Sequence, residues 1–365
     1  MKKKQWILGV IVLVALAAVL FWGRDRIHFD FAVFRAQLAG ADWIKIAIGF
    51  ACIYLGYVLR AVRWAMLLRH NKKVGPFTLL GTQVIGFTAV ALIGRPADPV
   101  RPYLVAKKTG LTLSTQIAVY IVERLFDAGS MALIFSSVIL YTVWFGQPGD
   151  LPHMEIVKKA GYSGMALTVA GALFLVAVRL AGNMVAGFFE STLGLASKRL
   201  GHAVAEKVRS FHAGLDTMRS FSDFAITAGI SIVMWLVITV AYLETMQAFT
   251  GSKELAAMTL PKSMLMLAFS GVASVFQLPI LGWFTQIAAV AAAMANFYNV
   301  GSEAATACAA MLLIVSFLGV IPIGLVWAQV DHISLRKTTT ESEQAEEVLE
   351  AATEPPATEA SEPAS

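Results

Sequence analysis

The chain has 365 residues, of which 57% are hydrophobic and 15% charged, against about 25% charged in ordinary soluble domains. So few charges cannot coat the one to three soluble domains that this length would otherwise permit. With a mean hydropathy of +0.68, the solvent for most of the chain is expected to be lipid. The net charge of +5 hides an asymmetry, because the stretch from Thr338 to Ser365 holds eight Glu and no Lys, Arg or Asp, which leaves +13 on the rest. A basic body of this kind suits anionic lipid at a cytoplasmic face. No basic run with interleaved aromatics points to nucleic acid.

Lys2, Lys3 and Lys4 precede an apolar run from Trp6 to Trp22. A signal peptide opens similarly, but this run is long and no small-x-small site follows before Arg24. It reads as an uncleaved anchor with a cytoplasmic N-terminus. The second span runs from Trp43 to about Trp64, and its exit carries Arg60, Arg63, Arg69, Lys72 and Lys73. That density of positive charge marks a cytoplasmic end. Phe77 to Ile93 is again apolar, then breaks at Gly94-Arg95-Pro96-Ala97-Asp98-Pro99-Val100-Arg101-Pro102, where three prolines oppose a continuous helix. A short apolar piece follows, ending at Lys107 and Lys108. With both flanks basic, a re-entrant hairpin is expected. The hairpin puts 18 Lys and Arg on cytoplasmic segments and 8 outside, whereas a full span would give 12 and 14. The positive-inside rule prefers the hairpin.

Further spans are expected at Ile117–Phe145, Gly161–Leu180 and Phe224–Phe249. Between the last two, over about 183–221, Leu193, Ala196, Leu200, Val204, Val208, Phe211, Leu215 and Met218 make a helical stripe, with Lys198, Arg199, Lys207, Arg209 and Arg219 off it. This predicts an amphipathic helix on the cytoplasmic surface of the membrane, with specific docking to a partner as the alternative. A second broken hairpin is expected from Leu260 to Phe297, interrupted at Gln277-Leu278-Pro279-Ile280-Leu281-Gly282, and a last span at Ala304–Val330. The sequence of span, broken hairpin and span occurs at 43–145 and again at 224–330 in opposite orientation. The fold class is therefore all-α: a polytopic helical membrane protein with about six transmembrane helices and two re-entrant hairpins in an inverted-topology repeat. Residues 1–337 form the membrane domain. Residues 338–365, rich in Glu, Ala, Thr and Pro, are expected to form a disordered acidic cytoplasmic tail.

The chemistry should sit where charge is costly. Arg60 and Arg63 end the second span, Arg95, Asp98 and Arg101 ride the first break, and Glu123, Arg124 and Asp127 start the following span. Glu123 and Asp127 are four apart and share a helix face. Each ionisable group costs about 2.5–3.5 kcal/mol at mid-bilayer on insertion scales, so such a set needs partners, function or an interfacial depth. Two readings stand: a salt-bridge network clipping the hairpin to the span, or a basic pocket for a phosphate-bearing headgroup. If all eight converge, five cations face three anions. At the second break Gln277, Pro279, Gly282 and Gln286 are uncharged and suit either turn chemistry or contact with a lipid hydroxyl. Glu244 and Gln247 read as interface residues. Cys52 and Cys308 read as small hydrophobes, the His residues lack metal-ligand spacing, and no cofactor is expected. No nucleophile elbow, P-loop, HExxH or dinucleotide fingerprint occurs.

Arg60-Ala61-Val62-Arg63-Trp64, Gly94 through Ala106, Glu123-Arg124-Leu125-Phe126-Asp127, Gln277 through Gly282 with Gln286, and Pro322-Ile323-Gly324-Leu325 together resemble the flippase-like family, the transmembrane domain of lysylphosphatidylglycerol synthases. The resemblance covers roughly Ile44 to Trp327. It implies an integral membrane lipid-handling protein, with Asp98, Arg101, Glu123, Arg124 and Asp127 on the family's polar motif. The chain departs from that pattern at Asp98, where Glu is frequent, and at Gly282-Trp283-Phe284-Thr285, where a glycine run is common. After Lys337 only the acidic tail follows, so lysyl transfer is not expected of this chain. The leading functional expectation is a lipid translocase of the inner membrane, not an enzyme, with membrane lipids as partners. The alternatives are a non-catalytic assembly partner in lipid or envelope biosynthesis and a headgroup-modifying enzyme using Asp98, Glu123 and Asp127; a homo-oligomer and a partner protein at the cytoplasmic face are further expectations.

Overall fold

The structure is a computed structural model that describes residues 30–145, 154–195, 197–215, 220–273 and 281–353. In chain order the helices are α1 (Phe31–Ala39), α2 (Trp43–Leu68), α3 (Pro76–Ile93), α4 (Val100–Thr109), α5 (Leu113–Phe145), α6 (Met154–Gly194), α7 (Lys198–Leu215), α8 (Phe221–Gln247), α9 (Lys253–Ala256), α10 (Leu260–Ala273), α11 (Leu281–Tyr298), α12 (Ser302–Leu313), α13 (Val320–Val330) and α14 (Leu335–Thr353). There is no strand among the described residues, so the protein is an all-α membrane protein. Five helical stretches are long and apolar enough to cross a bilayer: α2, α3, α5, Ser222–Gln247 and Ser302–Val330. A sixth is the bent pair Gly161–Gly171 and Val176–Gly194. The expected anchor at Trp6–Trp22 lies outside the described residues.

The chain divides into two compact units. One takes in the described residues of Met1–Tyr54, Ser137–Gly161 and Leu236–Gly319, and the other those of Leu55–Ser136, Tyr162–Trp235 and Val320–Ser365. Each holds one hairpin.

In the second unit, α3 begins with Pro76 in its first turn and ends at Gly94, whose φ of 93° is open to glycine at little cost. One 3₁₀ turn over Arg95–Ala97 follows, and α4 resumes at Val100. Helix thus restarts inside the expected proline break. Pro102 stands in the first turn of α4, where a missing N–H deprives no intrahelical acceptor. The two limbs pack together, and Lys72 Nζ donates to the Thr109 carbonyl at 2.6 Å. The ends of the hairpin therefore meet, as a chain entering and leaving on one side requires.

α6 is not the straight span expected at Gly161–Leu180. Its two parts are bent by 67°, and Ala181 leaves helical geometry. α7 returns along α6. A Cβ at Gly201 would collide with the backbone of Glu190 and Gly194, and Ala205 and Val208 join a buried cluster with Val178, Ala186, Trp64, Val119, Val122 and Phe126. The amphipathic helix therefore spends part of its apolar face on the protein itself.

The segment expected to be disordered from Thr338 needs correction, since α14 occupies 335–353. Ile333 and Leu335 pack on a cluster containing Ala97, Val100 and Leu104 of the hairpin. Tyr103 Oη donates to Glu341 at 3.0 Å, and Thr338, Thr339 and Ser342 are buried. Packing against the hairpin supplies the apolar contact that the acidic composition concealed. Residues 354–365 lie outside the described residues.

In the first unit, α10 and α11 pack as the second hairpin, and α11 packs on α12. The last span is broken within: Ile314–Leu318 forms a π-helical turn. Ser316 Oγ donates to the Leu312 carbonyl at 2.6 Å, and Gly319 N–H reaches back to Ile314 at 2.7 Å. The serine hydroxyl takes an acceptor that the backbone ladder would otherwise use, and Tyr54 Oη caps the turn on the Gly319 carbonyl at 2.7 Å.

Candidate functional site

Arg60 and Arg63 stand three apart on α2, Glu123 and Asp127 four apart on α5, so each pair presents one helix face. Those faces meet. Arg63 is wholly buried. Its Nη2 donates to Glu123 Oε1 at 2.7 Å, and its Nη1 to Asp127 Oδ1 at 2.6 Å and to Ser231 Oγ of α8 at 2.8 Å. Arg60 Nη1 reaches Asp127 Oδ2 at 3.1 Å and Glu123 Oε1 at 3.5 Å. Arg124 Nη2 lies 3.4 Å from both Glu123 Oε1 and Asp127 Oδ2. Placed singly at mid-bilayer, Arg60, Arg63, Glu123, Arg124 and Asp127 would cost on the order of 12–18 kcal/mol together, and mutual pairing offsets that.

The hairpin supplies the sixth charge. Arg101 Nη1 reaches Glu123 Oε1 at 3.2 Å and Gln83 Oε1 of α3 at 3.1 Å, and its Nη2 lies 3.0 Å from Glu123 Oε2. Its guanidinium carbon lies 5.0 Å from the Trp64 ring centre, 4.9 Å from Phe87 and 5.0 Å from Tyr120, distances at which the ring faces attract a cation. The close approach of α4 to α3 depends on Gly86, where a Cβ would run into Cβ and Cγ of Arg101.

Of the eight charged residues singled out in the sequence, six meet in one cluster: Arg60, Arg63, Arg101, Glu123, Arg124 and Asp127. Arg95 and Asp98 do not join its core. They lie 3.6 Å apart at the 3₁₀ turn, with side chains 47% and 32% exposed, and Asp98 is within electrostatic reach of Arg124 and Tyr120. In the core, four guanidinium groups face two carboxylates, an excess of two positive charges. Arg124 is the most open of these side chains, at 40% exposed, while Glu123 is 1% exposed.

Several participants were not singled out from the sequence. Gln83 and Ser231 carry polar contacts, and Trp64, Phe87 and Tyr120 surround Arg101. Gln116 accepts from Trp64 Nε1 at 3.0 Å. Neutral polar residues inside apolar runs were the only available signal for Gln83, Gln116 and Ser231. At the end of α2, Arg69 pairs with Asp223, and His70 Nε2 lies 2.8 Å from Asp223 Oδ2, tying α2 to the start of α8.

The residues of the second hairpin form a separate, uncharged group in the first unit. Gln286 is buried and donates through Nε2 to Ser270 Oγ at 2.8 Å, and Tyr242 Oη donates to the same oxygen at 2.8 Å. Gly282 is buried at the start of α11. Gln277 and Pro279 lie outside the described residues. Glu244 and Gln247, expected as interface residues, share a partner: Lys45 Nζ holds Glu244 Oε2 at 3.3 Å and Gln247 Oε1 at 2.9 Å. Gln247 also donates to the Met258 carbonyl at 2.8 Å. The lysine at the head of α2 was the partner that the sequence reading lacked.

Neither the search of curated proteins nor that of solved structures returned a match. The family profile of the lysylphosphatidylglycerol synthase TM region matches residues 6–324, a stretch that contains both hairpins and every residue of the charged cluster. The chain therefore belongs to the lysylphosphatidylglycerol synthase transmembrane-region family.

Proposed function

We propose that the protein is a lipid translocase that moves a phospholipid or glycolipid between the leaflets of the inner membrane, with both termini in the cytoplasm. The observation that carries this reading is Arg101: a charge riding a broken hairpin and joined to the Glu123 carboxylate on a spanning helix. Irregular backbone at membrane depth is tolerated where protein or a wet cavity surrounds it, and helical repeats with broken elements are a transporter architecture. A headgroup engaging Arg124 and Arg60 would compete for the charges that hold the hairpin, which couples binding to hairpin movement. A headgroup-modifying enzyme fits less well. Glu123 and Asp127 are each held by several arginines, and a carboxylate so held is a poor general base.

The test is reconstitution into liposomes carrying fluorescent lipids, with leaflet-resolved lipid analysis of cells with and without the gene. Translocation predicts an unchanged lipid inventory with one species shifted between leaflets. Loss of a species from both leaflets would point to synthesis and overturn the reading.

A further inference from the structure

The hydrogen-bond inventory of the charged cluster is weighted towards donors. Every carboxylate oxygen lies within ion-pair distance of an arginine: Glu123 Oε1 of Arg60, Arg63, Arg101 and Arg124, Glu123 Oε2 of Arg101, Asp127 Oδ1 of Arg63, and Asp127 Oδ2 of Arg60 and Arg124. All but one of the polar groups left without a hydrogen bond are donors, the exception being Glu123 Oε2, which lies 3.0 Å from Arg101 Nη2. Arg63 Nε, Arg101 Nη2, Arg124 Nε, Gln83 Nε2 and Gln116 Nε2 are buried and donate no hydrogen bond among the described residues. The two amides cannot be turned to relieve this. Gln83 faces an arginine and Gln116 a tryptophan N–H, and both of those groups donate only. Each glutamine must therefore present its oxygen to its partner and its NH₂ elsewhere.

A headgroup entering such a site must bring acceptors and negative charge. A phosphomonoester carries about −1.5 to −2 at neutral pH with three terminal oxygens, which matches both the twofold positive excess and the surplus of donors. A phosphodiester brings about half that charge. An aminoacylated headgroup adds ammonium donors, whereas both carboxylates here are buried and already neutralised by arginines. Resting on the reading of this cluster as a headgroup site, we infer that it selects a lipid phosphomonoester and rejects aminoacylated phospholipids. The lipid form is favoured over free phosphate because Ile121 and Leu125, beside Arg124 on α5, are exposed apolar side chains along which an acyl chain can lie.

The experiment uses the full chain in phosphatidylcholine nanodiscs, titrated with phosphatidic acid, phosphatidylglycerol, lysylphosphatidylglycerol and inorganic phosphate, with binding read by native mass spectrometry. Phosphatidic acid should bind at least about tenfold more tightly than phosphatidylglycerol, and lysylphosphatidylglycerol more weakly than either. Arg124→Gln should weaken phosphatidic acid about tenfold or more, the loss of one charge-assisted pair. A readout needing no variant is pH: the second phosphate ionisation lies near 6, so phosphatidic acid should bind more tightly at pH 7.5 than at pH 5.5. Equal binding of the mono- and diester, or preference for the lysyl lipid, overturns the inference and leaves translocation standing. Inorganic phosphate binding as tightly as phosphatidic acid overturns the lipid assignment. Binding of none of the lipids overturns the headgroup reading of the cluster along with the inference.

Discussion

Arg101 grips Glu123 with both terminal nitrogens, Nη1 at 3.2 Å and Nη2 at 3.0 Å, and so fastens the first hairpin to the spanning helix α5. The same carboxylate takes Arg63 from α2 at 2.7 Å. One buried glutamate thus ties together α2, α4 and α5. Glu123→Gln leaves buried guanidinium groups short of an anion, and breaking a buried pair from one side costs about 3–5 kcal/mol. The purified variant should lose that much stability in thermal or denaturant unfolding. Glu123→Leu combined with Arg101→Leu should cost less than the sum of the single changes. Additive losses would mean that the two residues are not coupled.

Gly86 sets how closely the two hairpin limbs approach. A methyl group there meets Arg101 at its Cβ and Cγ, and α4 must shift to admit it. Overpacking of this kind costs about 1–3 kcal/mol. Gly86→Ala should raise amide hydrogen exchange over Arg101–Thr109 more than in α8. Uniform exchange in both regions would show that the limbs accommodate the methyl without moving.

α14 holds the hairpin from another side. Ending the chain after Ser334 removes Leu335 from the cluster containing Ala97, Val100 and Leu104, and removes Glu341 from Tyr103. The truncated protein should show faster exchange and easier proteolysis at Arg95–Pro102. Tyr103→Phe alone should cost only about 1 kcal/mol, one partly exposed hydrogen bond. A hairpin equally protected after truncation would make α14 a bystander.

What the sequence reveals divides along physical lines. Apolar run length and flanking charge are local, so α2, α5, α8 and both hairpins were legible as elements. The spacing of Glu123 and Asp127, and of Arg60 and Arg63, fixed which charges share a face. Partner choice is not local. Whether Arg95 or Arg101 crosses to α5 depends on the 3₁₀ turn and on Gly86. Lys45 reaches Glu244 across 199 positions, and no periodicity announces that. α14 escaped because its polar composition resembles a solvated tail, while its buried Thr338, Thr339 and Ser342 are small hydroxyl residues that hydropathy scores as neutral. The 67° bend in α6 interrupts a run whose composition alone suggested a straight helix.

The neutral network of the first unit makes a contrasting prediction. Ser270 Oγ accepts from both Tyr242 and Gln286, each at 2.8 Å, and all three side chains are buried. Removing a donor frees one lone pair of a hydroxyl, a loss of about 1 kcal/mol. Removing the acceptor strands two buried donors, each at about 1–3 kcal/mol. Ser270→Ala should therefore destabilise more than Tyr242→Phe, although it deletes the same single oxygen atom. Ser270→Ala combined with Tyr242→Phe should recover part of the loss, because one stranded donor is gone. Unfolding of the three variants in one detergent decides it. If Tyr242→Phe proves the more harmful single change, the phenol has a larger role than donating to Ser270, and its contact with Ser316 of the π-helical turn is the next place to look.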